Sequence, residues 1–353
     1  MKDMNCREIF SKLERFILFL VGYAKSMSAL GFNLFLCLPA VTYGCTTIPD
    51  RISSSETDRT YLMLSSGYDV KAGIHPVDIL IFNNDEKGRL NTYQRIYNHD
   101  EDLLKVSSTS GDMLFTVLSN SRRDEYDWTE ICSRENLEKV TVRLEDETED
   151  GLFMSGECTG TAGSRIPLML SRKCAEIRLR SVRCDFISQS YSGCRIENPR
   201  VYLINVNAEA PVIGNSKGYA MRIINTGRLD MKDLRNFKEP GIIYQELPGS
   251  IGKDAYYAGI GLLCYPNHID VESPGTPATR LVIEGTVSGR TYYWSININP
   301  DEGGVAANCR YTYDICIRRP GTSDPDIPVK LKDGEIIMEV ERWKEKEEYA
   351  IRF

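Results

Sequence analysis

The sequence predicts a mainly β protein assembled from β-sandwiches, and three observations point there. Val, Ile and Thr recur in short runs that alternate apolar with polar residues, as suits a pleated surface buried on one face. Turn residues separate these runs at a spacing of roughly ten residues, the rhythm of sandwiches rather than of strands alternating with helices. Only one segment carries a convincing helical pattern. At 353 residues the chain can hold two ordinary domains once an N-terminal segment is set aside.

Residues 1–45 read as an export segment. Lys2, Arg7, Lys12 and Arg15 precede apolar runs at 16–24 and 29–41, which Lys25 and Ser26 interrupt. The second run has the length of a secretory apolar core and is too short for a membrane-spanning helix. The stretch before Lys25 is long for a signal, which suggests a start further downstream. At 38–47 the chain reads LPAVTYGCTT, and the small Gly44 before Cys45 fits a bacterial lipoprotein cleavage site. Cys45 is then the first residue of the exported form, lipidated on its sulfur; the alternative reading of this segment is a retained apolar anchor.

From 46 to 73 the chain is polar and holds Arg51, Arg59 and one apolar patch, YLML at 61–64. It predicts a tether and an early strand. VDILIF at 77–82 is a strand, and NNDEKG after it ends in Gly88, which can take the positive φ of a tight turn; 90–97 then returns as its partner. MLFTVL at 113–118 is apolar throughout, which predicts a strand buried on both faces. The helix candidate is 127–139, with Trp128, Ile131, Cys132 and Leu137 near one face.

Strands follow at 140–144, 152–154 and 166–170, and AEIRLRSV at 175–182 alternates as a strand with one wet face should. VYLINV at 201–206 closes this half, and NAEAP at 207–211 reads as a linker. The expected domains are therefore 46–208 and 209–353. In the second, YAMRIINTG at 219–227 reads as a strand, and 281–287 and 291–298 flank Ser-Gly-Arg as a hairpin. RYTYDICIR at 310–318 alternates, 335–343 supplies another strand, and YAIRF at 349–353 can pair as well.

Composition narrows function. Lys and Arg number 43 against 50 Asp and Glu and form no basic stripe, which argues against nucleic acid as a partner. His75, His99 and His268 are scattered and no CxxC occurs, so neither a zinc site nor a cofactor is expected. Beyond Cys45 there are eight cysteines. Export would let them pair, in any of about 105 ways, but small buried hydrophobes on strands is an equally good reading.

Candidate chemistry fails on context. Asp146, Thr148, Asp150, Gly151 and Glu157 have the spacing of a calcium loop, yet strand-like sequence flanks them where helices are needed. GNSKG at 214–218 matches a nucleophile elbow around Ser216, but the strand-like 219–227 replaces the helix such an elbow requires. GSIGKD at 249–254 lacks the glycine and the Ser or Thr of a phosphate loop. The carboxylates of SDPDIP at 323–328 suit turn capping. A binding or structural role is expected, and no enzymatic one.

Taken together, several segments resemble the fimbrillin superfamily, the type V pilus subunits of Bacteroidia-type bacteria. VDILIFNNDEKGRL resembles that family's strand, Phe-containing turn and Gly hairpin, and SGDMLFTVLSN the segment ending in Asn, here Asn120. LFMSGE and the strand after it resemble the Met-Ser-Gly turn and Arg-x-x-Ala strand, carried by Met154, Ser155, Gly156, Arg172 and Ala175. VYLINVN resembles the stretch joining two domains. In the second half the pattern rests on Asn308, Tyr311, Gly321, Asp324, Pro325, Asp326 and Trp343. The resemblance runs in order from about residue 60 to the end.

The resemblance implies two tandem transthyretin-like, Greek-key β-sandwich domains with a short helix in the first. It further implies a lipoprotein precursor, lipidated at Cys45, at the outer membrane and cell surface, with other fimbrial subunits as partners through strand exchange. In stalk and tip subunits of that family an arginine-specific protease removes the first strand, and Arg51 and Arg59 stand in the expected region. Left uncut, the lipid stays and the subunit is an anchor at the fimbrial base. The alternative is a surface lipoprotein that binds glycans through its sandwich faces, for which Tyr292, Tyr293 and Trp294 would have to form an exposed platform.

Overall fold

The computed structural model describes residues 58–65, 76–97, 103–121, 126–214, 219–329 and 336–342. Cys45, Arg51, Ser216, Trp343 and the 349–353 segment lie outside them. In the first half the chain forms β1 (Asp58–Ser65), β2 (Val77–Asn83), β3 (Leu90–Ile96), β4 (Leu103–Ser108), β5 (Asp112–Ser119), β6 (Thr141–Arg143), β7 (Met154–Thr161), β8 (Arg165–Met169) and β9 (Ser171–Arg172). Next come β10 (Ala175–Cys184), β11 (Ile196–Ile204), β12 (Val206–Asn207), β13 (Glu209–Pro211), β14 (Ile223–Ile224), β15 (Tyr244–Glu246) and β16 (Ser250–Ile251). The last are β17 (Ile260–Cys264), β18 (Asn267–His268), β19 (Arg280–Val287), β20 (Arg290–Asn297), β21 (Gly304–Val305), β22 (Cys309–Ile317) and β23 (Ile336–Arg342).

The fold is mainly β and consists of several sheets. In the first sandwich, sheet β4-β1-β8 faces sheet β3-β2-β5-β7-β9 across a core that includes Leu62, Leu64, Ile79, Phe115, Val117 and Leu168. In the second, β17-β10-β22-β23 faces β15-β11-β19-β20 across Ile177, Leu179, Leu203, Ile283, Tyr311 and Tyr313. The apolar run of β2 explains how the two meet. Val77, Ile79 and Ile81 enter the first core, while Leu80 and Phe82 point the other way into the larger core that also fills the second sandwich. A strand with both faces covered needs no polar alternation.

Two turns show why local sequence chooses these pairings. Gly88 takes φ +49° where β2 returns into β3, and Asp85 caps the turn by accepting from the Lys87 and Gly88 N–H groups. Between β19 and β20, Ser288 and Gly289 have φ +50° and +78°. Positive φ at both central residues matches the right-handed twist of the hairpin.

The structure corrects four expectations. NAEAP is not a linker: Asn207, Ala208 and Ala210 are buried, and β13 pairs with β6 through Glu209, Ala210 and Pro211. Likewise β11, expected to close the first half, pairs with β19 from the second, and β10 pairs with β17 and β22. The helix expected over 127–139 is split. Asp127 caps a short 3-10 turn, Trp128–Glu130, and Ser133 caps a separate helix, Arg134–Glu138. Between them, Cys132 carbonyl oxygen accepts from Leu90 N–H and Ser133 bridges Arg89, so backbone groups a continuous helix would use go to the β3 edge. The 219–227 segment contains only the two-residue β14, because Asn225 turns the chain at φ +49°. The cysteines of the described residues are all free thiols, and Cys174, Cys184, Cys264 and Cys316 are buried.

Candidate functional site

Three surfaces could carry function, and the first is the start of the described chain. β1 is the middle strand of its sheet: it runs antiparallel to β4 and parallel to β8, in register from Tyr61↔Arg165 to Ser65↔Met169. Alternation sends Leu62 and Leu64 into the core and leaves Met63 and Ser65 exposed. Thr60, fully buried, accepts from the Gly163 N–H at 2.9 Å. Arg59 is the second residue of β1, exposed and opposite Ser107. No arginine occurs between Thr60 and Arg89, so cleavage after Arg51 or Arg59 would leave the core-filling part of β1 in place.

The second surface is β23. It is an edge strand among the described residues, paired only with β22. Ile336, Met338 and Val340 lie opposite Ile315, Tyr313 and Tyr311 and so share their face. Those three partners are buried, whereas Met338 and Val340 are 36% and 43% exposed. Among the described residues the facing sheet therefore stops short of β23, leaving an apolar strip beside a strand edge that none of them pairs.

The third surface had no sequence signal: a cleft of about 460 Å³ where β9, the 207–214 segment and the loop before β22 meet. Gly303 and Gly304, at φ +80° and +87°, shape that loop; a Cβ on Gly303 would strike the His268 ring, and one on Gly304 the Asn267 carbonyl. Tyr311 hydroxyl pins it, accepting from the Ala306 N–H at 2.9 Å. Arg172, Lys173, His268 and Arg342 line the cleft. Burial lowers the Lys173 amine to about 8, opposed by the nearby Glu157 carboxylate, and its ammonium donates to the Gly214 carbonyl at 3.1 Å.

Residues singled out for chemistry serve the fold instead. Asp146 is held by Arg143 and Lys238, whereas Glu157 sits on β7 and pairs with Arg134, so the spacing of a calcium loop does not become a ligand set. Asp326 of SDPDIP takes the Arg280 guanidinium, itself buried, and accepts from the Asn205 amide at 3.1 Å. Ser250 of GSIGKD accepts from the Arg195 Nε at 2.7 Å. Trp294 is buried and donates to the Arg319 carbonyl, Tyr292 packs edge-on to Tyr191, and Tyr293 is half-buried, so the trio makes no exposed platform.

No protein-family model matches the chain, and no curated protein matches it. Solved structures do. A fimbrilin from Porphyromonas gingivalis is similar at 14% identity with a TM-score of 0.57, over 81% of this chain and 97% of that one. A candidate cell adhesion protein from Parabacteroides distasonis, also at 14% identity, gives 0.59 over 82% and 97%. Another from Bacteroides eggerthii, at 16% identity, gives 0.59 over 81% and 95%.

Proposed function

We propose that this chain, which has the fimbrillin-type fold, is a structural subunit of a cell-surface fimbria and not an enzyme. The observation that carries this reading is likeness along 97% of the fimbrilin's length, which leaves little of that architecture without a counterpart here. In this reading the two sandwiches are tandem transthyretin-like domains, divided between β9 and β10, since from β10 onward the long strands pair within the second sandwich. Cys45 carries the lipid that delivers the precursor to the outer membrane.

Assembly then follows the physics of strand addition. An unpaired edge beside uncovered apolar side chains gains a ladder of hydrogen bonds and buries alternate residues when a partner strand docks. The β23 edge with Met338 and Val340 has that character, and a neighbouring fimbrial subunit is its proposed occupant. β1 has the opposite character. It already fills its place in the first sandwich, and no arginine lies between it and Arg89, so an arginine-specific protease has no site from which to release it. A complete first sandwich favours a fibre terminus that keeps its lipid, the anchor position, over the stalk.

Mass spectrometry of the mature protein from purified outer membranes tests this. Lipidated Cys45, an intact Arg59–Thr60 bond and co-purification with fimbriae are expected. An unmodified Cys45 on a soluble chain that joins no fibre would overturn the reading.

A further inference from the structure

We infer that the cleft between β9 and the loop before β22 is a binding site for an acidic sugar, a uronic-type residue whose carboxylate sits among Lys173, Arg342 and His268. The inference does not rest on assembly into a fimbria, because it concerns one chain in isolation.

Charge is the first argument. The protein is net acidic, at −7, yet four basic side chains line this one cavity. Lys173 donates to a carbonyl and has no carboxylate partner among the described residues, and neither has Arg342. A partly buried ammonium whose acidic neighbour, Glu157, is engaged by Arg134 is held at a cost that an incoming anion would relieve. His268, which also lines the cleft, does have an acidic neighbour, Asp270 at 3.1 Å.

Size and wall chemistry then select the anion. At about 460 Å³ the cleft falls within the range of small-molecule sites and is far larger than an inorganic anion needs. Its wall also holds small apolar groups, Val305, Ala306 and Ala307 among them, and the Asn308 amide, while the Asn207 amide is taken up by the Pro266 carbonyl and three backbone N–H groups. Next to His268 the exposed Tyr219 ring packs edge-on, 5.6 Å between centroids, and its hydroxyl donates to Asp270. A sugar ring presents matching parts: C–H faces for apolar and aromatic surface, hydroxyls for the amide, and a carboxylate for the cations.

Calorimetric titration of the full chain in detergent tests this, with glucuronate as the probe. Glucose, the methyl ester of glucuronate, an N-acetylated acidic dipeptide and inorganic phosphate serve as comparisons. Saturable glucuronate binding is expected, with glucose and the ester weaker by about tenfold or more. Lys173→Gln and Arg342→Gln should each cost about tenfold; Arg342 is exposed on an edge strand, so that variant keeps the fold even if the other does not. Lys173 loses its charge as pH rises through about 8, so affinity should fall toward alkaline pH. Glu157, Arg172, His268 and Arg342 also face or neighbour that amine, and the two Gln variants separate the contributions of Lys173 and Arg342. Absence of saturable glucuronate binding at millimolar concentration would overturn the inference. So would phosphate or the dipeptide binding as well as glucuronate, or binding that Arg342→Gln leaves unchanged.

Discussion

At the scale of single residues, buried charge separates what the fold needs from what the cleft uses. Asp78 is fully buried on β2, yet it accepts from Arg95 at 3.0 Å and the Tyr93 hydroxyl at 2.7 Å, and Ser121 bonds it as well. Burial, with this carboxylate as the next cause, pushes the Tyr93 phenol up to about 12. Removing Asp78 strands the largely buried Arg95 guanidinium, so Asp78→Ala should cost about 3–5 kcal/mol, read as a shift in urea unfolding. Lys173 is the contrary case. Its amine is lowered to about 8, below its unfolded value, so the unfolded chain binds more protons between the two. The resulting penalty is fully present below about 8 and fades as pH rises toward the unfolded value. Lys173→Met should therefore stabilise the protein at neutral pH by roughly 1 kcal/mol, discounting for partial exposure, with the gain shrinking in alkaline thermal melts. A stabilising substitution that abolishes sugar binding would mark the lysine as kept for the ligand.

At the scale of elements, the hairpin of β19 and β20 offers a clean test of turn chemistry. Ser288 adopts φ +50° where glycine or asparagine is at ease, so Ser288→Gly should raise thermal stability by about 0.5–1 kcal/mol. Gly289 has φ +78° and open space where a Cβ would stand, so its change to Ala should cost about 1–2 kcal/mol through backbone strain alone. The same elements show what the sequence could and could not say. β2, β5, β10, β19, β20 and β22 were legible because their burial follows their own apolar spacing. NAEAP was not, because its burial comes from a partner sixty-odd residues earlier, β6, that no local pattern names. The split helix was hidden for the same reason: the competitor for its backbone was the turn before β3. The cleft was invisible throughout, since Lys173, His268 and Arg342 are brought together only by tertiary pairing.

At the scale of the whole molecule, the position of β1 bears on the proposed assembly through the completeness of the first sandwich. With β1 in place, the first sandwich is closed between β4 and β8, and Leu62 and Leu64 complete its core. Losing the strand would uncover two sheet edges and the apolar side chains beneath them; truncating one buried leucine alone costs about 2–5 kcal/mol. A chain beginning at Thr60 keeps both leucines and should melt close to the parent. A chain beginning at Ser66 loses them and should be strongly destabilised and prone to associate. Adding a synthetic peptide of the β1 sequence, DRTYLMLS, should restore cooperative unfolding to that shorter chain, because the vacated groove accepts the same hydrogen bonds and the same two leucines. A peptide with Leu62→Asp should not, since it would place a charge in the core. If the Ser66 chain instead unfolds like the parent without any peptide, β1 is dispensable, and completeness of the first sandwich ceases to argue for the fibre terminus.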